Sequence, residues 1–153
     1  MRLSLLSVLT VIAWAVFTTA VLAVDTITSK DAPDLSPVRA KIKAQDYKGA
    51  IAALTPFLVT HEHADVYNLM GFSLRKSGDL KTAATYYAKA LDYDANHKGA
   101  LEYQGEMFVE MGQIEKARAN LTKLAKLCPD GCEERSDLEK AIAGAGTTAV
   151  GTN

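Results

Sequence analysis

This 153-residue chain has almost no excess of charge of either sign: 17 Lys and Arg stand against 18 Asp and Glu, a formal net charge of −1. A nucleic-acid binder needs a basic face to displace counterions from phosphates, so near neutrality argues against one. No polybasic tract is present to dock on an anionic membrane surface. Cysteine is scarce, with two residues at Cys128 and Cys132. Their C-x3-C spacing is neither the C-x-x-C of thioredoxin-like redox pairs nor the C-x-x-C-H of haem attachment. Of only three histidines, His61 and His63 stand two apart at a helix start and cannot share one helical face, so a capping role is expected rather than a metal site. No Ser, His and Asp arrangement, Gly-rich phosphate loop or carboxylate pair sits in a context that would support catalysis. The expectation is a protein that is not an enzyme, with no cofactor and no metal. Asn120-Leu121-Thr122 matches a glycosylation sequon, but on a predicted helix it is read as chance.

What is present begins with an apolar N-terminus. Met1-Arg2, an uncharged run over residues 3–24 and a small-residue exit at Val21-Leu22-Ala23 read as a secretory signal over residues 1–23. The alternative is an uncleaved membrane anchor, because ~22 residues at about 1.5 Å rise span roughly 33 Å, enough for a bilayer core. No Cys lies near Ala23, which argues against a lipoprotein anchor. Cleavage after Ala23 would leave about 130 residues, one small domain, with no membrane attachment. Residues 24–34 lack periodicity and read as a linker.

From residue 35 onward the apolar residues recur at helical spacing. Ser36 is expected as an N-cap before Pro37, opening a helix over residues 35–44. Gln45-Asp46 breaks it, and a second amphipathic helix follows over residues 47–58, with a kink or early end near Thr55 imposed by Pro56. Two further units then repeat at a period of 34 residues without a gap: residues 64–97 over residues 98–131. Tyr67 aligns with Leu101, Gly71 with Gly105, Gly78 with Gly112, Leu80 with Ile114 and Ala83 with Ala117. Each unit reads as helix, tight turn, helix. A pair this short cannot bury its apolar face alone, so stacked copies must share one core and leave a groove on one side. Gly71 and Gly105 are expected to let paired helices close up against Ala83 and Ala117, while Tyr67, Tyr87, Leu101 and Phe108 fill the space between layers. A last amphipathic segment over residues 133–143 reads as a cap, with Glu133, Glu134, Arg135, Glu139 and Lys140 outward. Residues 144–153 are small and polar and read as a disordered tail.

These residues resemble the tetratricopeptide repeat family, whose 34-residue unit places characteristic residues at positions 4, 7, 8, 11, 20, 24, 27 and 32. Residues 64–97 supply Tyr67, Met70, Gly71, Leu74, Ala83, Tyr87 and Ala90, with Ala95 departing from the pattern; residues 98–131 supply Leu101, Gly105, Phe108, Ala117, Leu121 and Pro129, with Gln104 and Leu124 departing. Residues 35–63 match mainly through their second half and form a degenerate copy. The resemblance implies an all-α fold, a right-handed superhelix of antiparallel helix pairs with a C-terminal capping helix at 133–143, over a domain at 35–143. It also implies that the first helix of each pair lines a concave, partner-binding groove. On that basis Asn68, Phe72, Arg75 and Lys76 of the middle unit and Glu102, Glu106, Val109 and Glu110 of the next face the groove, joined by Arg39 and Lys43 from the first helix. Asp65 and Gly99 share the face. The groove is then expected to be basic at its N-terminal end and acidic at its C-terminal end, with Phe72 exposed between.

Cys128-Pro129-Asp130-Gly131-Cys132 places two thiols around a Pro and Gly turn, and in an exported protein such a pair is expected to oxidise to a disulfide. Its expected role is a staple between the last repeat helix and the cap. The Cys pair followed by Glu-Glu and a short helix is similar to small exported bacterial members of the family, which points to a periplasmic or secreted protein. The combined expectation is an exported adaptor whose groove holds a peptide segment or helix of another exported protein. The alternatives are a redox or assembly accessory using Cys128 and Cys132, and a module that self-associates.

Overall fold

The computed structural model describes residues 33–148, so the signal at 1–23, nearly all of the linker and the end of the tail lie outside the described residues. Eight helices and no strand occur among the described residues, as the period requires. In chain order they are α1 (Ser36–Lys43), α2 (Tyr47–Leu54), α3 (Phe57–Thr60), α4 (Ala64–Lys76), α5 (Leu80–Tyr93), α6 (Lys98–Glu110), α7 (Ile114–Leu127) and α8 (Glu133–Thr148). Helix pairs α1/α2, α4/α5 and α6/α7 stack in series, and α8 closes the end against α6 and α7.

Local chemistry sets each boundary. The N-cap position of α1 is Leu35, and just before it the Asp34 carboxylate accepts the Ser36 N–H at 2.9 Å. Ser36 is therefore already inside the helix, one residue later in register than its expected N-cap role. Asp46 and Asp79 cap α2 and α5 by accepting from the N–H groups of Gly49 and Thr82. His63 and His97 cap α4 and α6 through Nδ1, accepting from Asp65 and Ala100. Pro56 has no N–H to continue the ladder, so α2 stops at Leu54 and the chain restarts as the short α3.

The three hairpin turns are built alike. In each, a residue at positive φ donates its N–H three residues back and the next residue donates five back: Gln45 and Asp46 to Ile42 and Lys41, Gly78 and Asp79 to Arg75 and Leu74, Gly112 and Gln113 to Val109 and Phe108. The last two turns use glycine, at φ +90° and +70°. The first forces Gln45 to φ +59°, a left-handed conformation costing roughly 1 kcal/mol for a residue with a Cβ. The first pair is thus a degenerate copy in geometry as well as in sequence.

The core is a row of clusters, one at each junction. Val38, Ala50, Leu54, Val66 and Met70 join the first pair to the second. Tyr67 with Ala90 and Ala100, and Tyr87 with Ala83 and Met107, join the second to the third. Leu101, Ala117, Leu124, Leu138 and Ile142 join the third to α8. The close approaches differ from expectation. A Cβ on Gly71 would fall 2.8 Å from the buried Tyr87 ring, and one on Gly105 would fall 2.6 Å from Leu138 of α8. The glycines make room for the large residue of a neighbouring helix, rather than for Ala83 or Ala117. Helix α8 also continues five residues past its expected end, to Thr148, so the first half of the expected tail is helical.

The register explains α8. Adding 34 once more places Glu133 where Gly99 and Asp65 stand, Leu138 where Gln104 and Met70 stand, and Ile142 where Phe108 and Leu74 stand. Helix α8 is the first half of a fourth unit, and it buries Leu138 and Ile142 as such a helix should.

Candidate functional site

The first helices of the units, α1, α4, α6 and α8, together line two adjoining cavities. Both share Arg39 of α1, Leu69 of α4 and Tyr103 of α6. One, of about 210 Å³, is mainly apolar and adds Ile42, Lys43 and Phe72. The other, of about 330 Å³, is polar and adds Asp65, Asn68, His97, Gly99 and Glu102, with Glu133, Glu134 and Asp137 reaching in from α8. Five of the ten expected groove residues therefore meet here: Arg39, Lys43, Asn68, Phe72 and Glu102.

Phe72 is half-buried rather than exposed. Its ring lies 4.8 Å from that of Tyr103 and 6.3 Å from that of Tyr47, and it forms part of the floor of the apolar cavity. The other five expected residues do not line either cavity, and one of them explains why. The Arg75 side chain is 1% exposed and bridges α4 to α6, donating from Nη1 to Glu110 at 3.0 Å and from Nη2 to Glu106. Its guanidinium carbon lies 5.7 Å from the Phe72 ring centre and 5.9 Å from that of Tyr103. Arg75 is thus committed to Glu106 and Glu110 in a cross-unit clamp of net charge −1, which removes it from the expected basic end of the groove. Lys76 is exposed, with its ammonium 5.5 Å from the Phe72 ring centre. Val109 packs half-buried on the cluster at the third pair and α8.

Basic and acidic sides are both present at the cavities, partly through expected residues and partly through α8. Arg39 and Lys43 supply the basic side at the apolar cavity, and the acidic side is supplied by Asp65, Glu102 and the three carboxylates of α8. Glu133 and Glu134 were expected to point outward; they face the groove because α8 sits where the first helix of a fourth unit would. That signal was readable by carrying the 34-residue register one step further.

Most of these carboxylates have a partner. Asp65 accepts from His97 Nε2 at 3.2 Å and lies 3.6 Å from Arg39. The His97 hydrogen bond holds its carboxyl below the usual carboxylate range, against the opposing effect of burial. Glu134 lies 3.9 Å from Lys98, and Asp137 lies 2.8 Å from Lys140. Glu102 differs. It is 7% exposed and has no ion pair or hydrogen bond among the described residues. Burial, followed by the neighbouring charges of Glu106, Asp137, Glu134 and Glu133, pushes its carboxyl up to about 8. Asn68, 4% exposed, lines the same cavity, with Oδ1 buried and unpartnered.

Outside the groove, Cys128 ends α7 and Cys132 stands just before α8, and the two form a disulfide with Cα atoms 5.9 Å apart. It ties the last repeat helix to α8. Asn120 is buried and donates to the Leu101 carbonyl and to Gln104 Oε1, both at 3.0 Å, so the sequon residue is an internal brace. Gln104, which departs from the repeat pattern, thereby gains its reason. No group of three or more His, Cys, Asp or Glu among the described residues is placed to hold a metal ion. No helix among the described residues is long and apolar enough to cross a membrane.

The helix, Schellman turn and helix of α4/α5 and α6/α7, repeated at 34 residues with small residues where helices touch, are matched by two family models. Both helix pairs match the tetratricopeptide repeat. One model covers residues 64–97 and the other residues 100–131. No curated protein matches the chain. Tetratricopeptide repeats are typically non-enzymatic protein–protein interaction scaffolds, which use the surface left open by stacking to hold another polypeptide. The first pair, α1/α2, lies outside both matches, in keeping with its strained Gln45 turn and its helix broken at Pro56.

Proposed function

We propose that this protein is an exported adaptor that holds a segment of another exported protein in the groove formed by α1, α4, α6 and α8. The observation that carries the reading is the convergence of Arg39, Lys43, Phe72 and Tyr103 on one apolar cavity next to the acidic one, all on the first helices of stacked repeats. A mixed apolar and charged trough favours a polypeptide that brings both kinds of side chain. The apolar signal at residues 1–23 supports export to the periplasm or beyond. The disulfide joining α7 to α8 supports an oxidising compartment and acts as a staple for the acidic wall of the groove.

Two measurements test this. Intact mass of the chain recovered from cells should show loss of residues 1–23; a retained N-terminus would favour the anchor instead. A photo-crosslinking residue at Lys43, in the groove, should give a discrete adduct that the same residue at exposed Lys123 on α7 does not. Equal adducts from both positions would remove the groove from consideration.

A further inference from the structure

Among the described residues, Glu102 is a buried carboxyl with no ion pair. It lies at the floor of the 330 Å³ cavity, nine-tenths buried, and among the described residues no cation reaches it. The arginine that might have paired with it, Arg75, is committed to Glu106 and Glu110. Arg39 lies nearest Asp65, Lys98 nearest Glu134 and Lys140 nearest Asp137. In the lining of the same cavity, Asn68 Oδ1 is a buried acceptor without a donor. Leaving the Asn68 acceptor buried and unpaired costs free energy. Asn68 Oδ1 lacks a donor, and the wall around it, Glu102 included, is acidic. A cationic side chain carrying several N–H donors is the group that would satisfy both.

Resting on the groove reading above, we infer that the cavity between α4, α6 and α8 is a receptor for one lysine side chain of the bound segment, whose ammonium donates to Glu102 and Asn68 Oδ1 while a neighbouring apolar side chain occupies the Phe72 cavity. Arg39 and Tyr103 belong to both cavities, so the two side chains sit close together on the ligand. The groups facing Glu102 from the packed helices are Arg39 of α1, Asp65 of α4, His97 at the start of α6 and Glu133, Glu134 and Asp137 of α8. Glu106 faces it from its own helix. Burial first, and then this predominantly acidic ring, raises the Glu102 carboxyl to about 8, so that it holds its proton in the empty groove at neutral pH. An arriving ammonium ionises the carboxyl: its O–H bond breaks, the electron pair stays on the oxygen and the proton leaves to buffer.

The test uses the full chain with two capped peptides, acetyl-Phe-Gly-Lys-amide and its analogue with norleucine in place of lysine, compared by calorimetry and by amide chemical shifts. The lysine peptide should bind at least about tenfold more tightly, shift the amides of Asn68 and Gly99, and release a proton, seen as a dependence of the apparent enthalpy on the ionisation enthalpy of the buffer. Glu102→Gln keeps the shape and removes the charge, and should abolish the preference while leaving the norleucine peptide unaffected. Equal affinity for the two peptides at the groove would overturn the lysine receptor and leave the groove reading standing. Absence of binding by the lysine peptide at millimolar concentration would also overturn it, and the crosslinking pattern from Lys43 then decides the groove reading separately.

Discussion

Replacing Arg75 with methionine keeps the aliphatic volume of the side chain and deletes the clamp between α4 and α6. The wild-type guanidinium is buried, donates to Glu106 and Glu110, and lies against the rings of Phe72 and Tyr103. Removing one partner of a fully buried ion pair costs about 3–5 kcal/mol, because the other charge is left unpaired. Here the stranded carboxylates keep access to water, at 24% exposure for Glu106 and 44% for Glu110. Solvation returns part of the loss, and the net cost falls to about 2–3 kcal/mol. For a domain of this size that lowers Tm by roughly 10 °C. Urea unfolding followed by far-ultraviolet dichroism reads the effect directly. Lys76→Met, one residue away but exposed, should stay within about 0.5 kcal/mol of the parent. The Arg75 penalty should persist at high salt, where exposed pairs are screened. An Arg75→Met protein as stable as the parent, or a Lys76→Met protein equally damaged, would refute the clamp. By the same geometry, charge reversal at Arg75 should lower stability, whereas reversal at exposed Lys76 should leave stability unchanged.

Three further outcomes follow from the packing and the charges. Gly71→Ala should cost about 1–3 kcal/mol by equilibrium unfolding, because its methyl would meet the buried Tyr87 ring, which has no room to retreat. Loss of the disulfide in a Cys128→Ser, Cys132→Ser double variant should cost about 2 kcal/mol from the short loop it closes, with hydrogen exchange rising first in α8; no change in either would deny it a stapling role. Glu102 makes stability fall with rising pH. The unfolded carboxyl ionises near 4.5 and the folded one near 8, so its contribution is full below the first value and is lost on passing the second. After allowance for water in the cavity the decline is about 1–2 kcal/mol. Glu102→Gln should flatten the melting temperature against pH over that window, and an unchanged slope would assign the effect elsewhere.

How much of this was legible beforehand differs between fold and site. The 34-residue spacing carried the helix pairs because it repeats a physical need: an apolar face every three or four residues, a small residue where helices touch and a positive-φ residue where the chain reverses. Those requirements are local, and Gly78, Gly112, Asp79 and Pro56 declare them within a few residues of where they act. The groove was half legible. Arg39, Lys43, Asn68, Phe72 and Glu102 fall where the register puts them. Arg75 was misread because its fate depends on Glu106 and Glu110, more than thirty residues away. Glu133 and Glu134 were misread because a cap was assumed to end the register rather than continue it.

By itself the sequence determined the all-helical stack, the hairpin turns, the degenerate first unit and the covalent tie at the end, because propensity, capping and periodicity act along the chain. Only the tertiary structure decided which charges are spent inside the molecule and which remain available. Ion pairing and burial are set by neighbours in space, and the same arginine that looks free on one helix is consumed by the next.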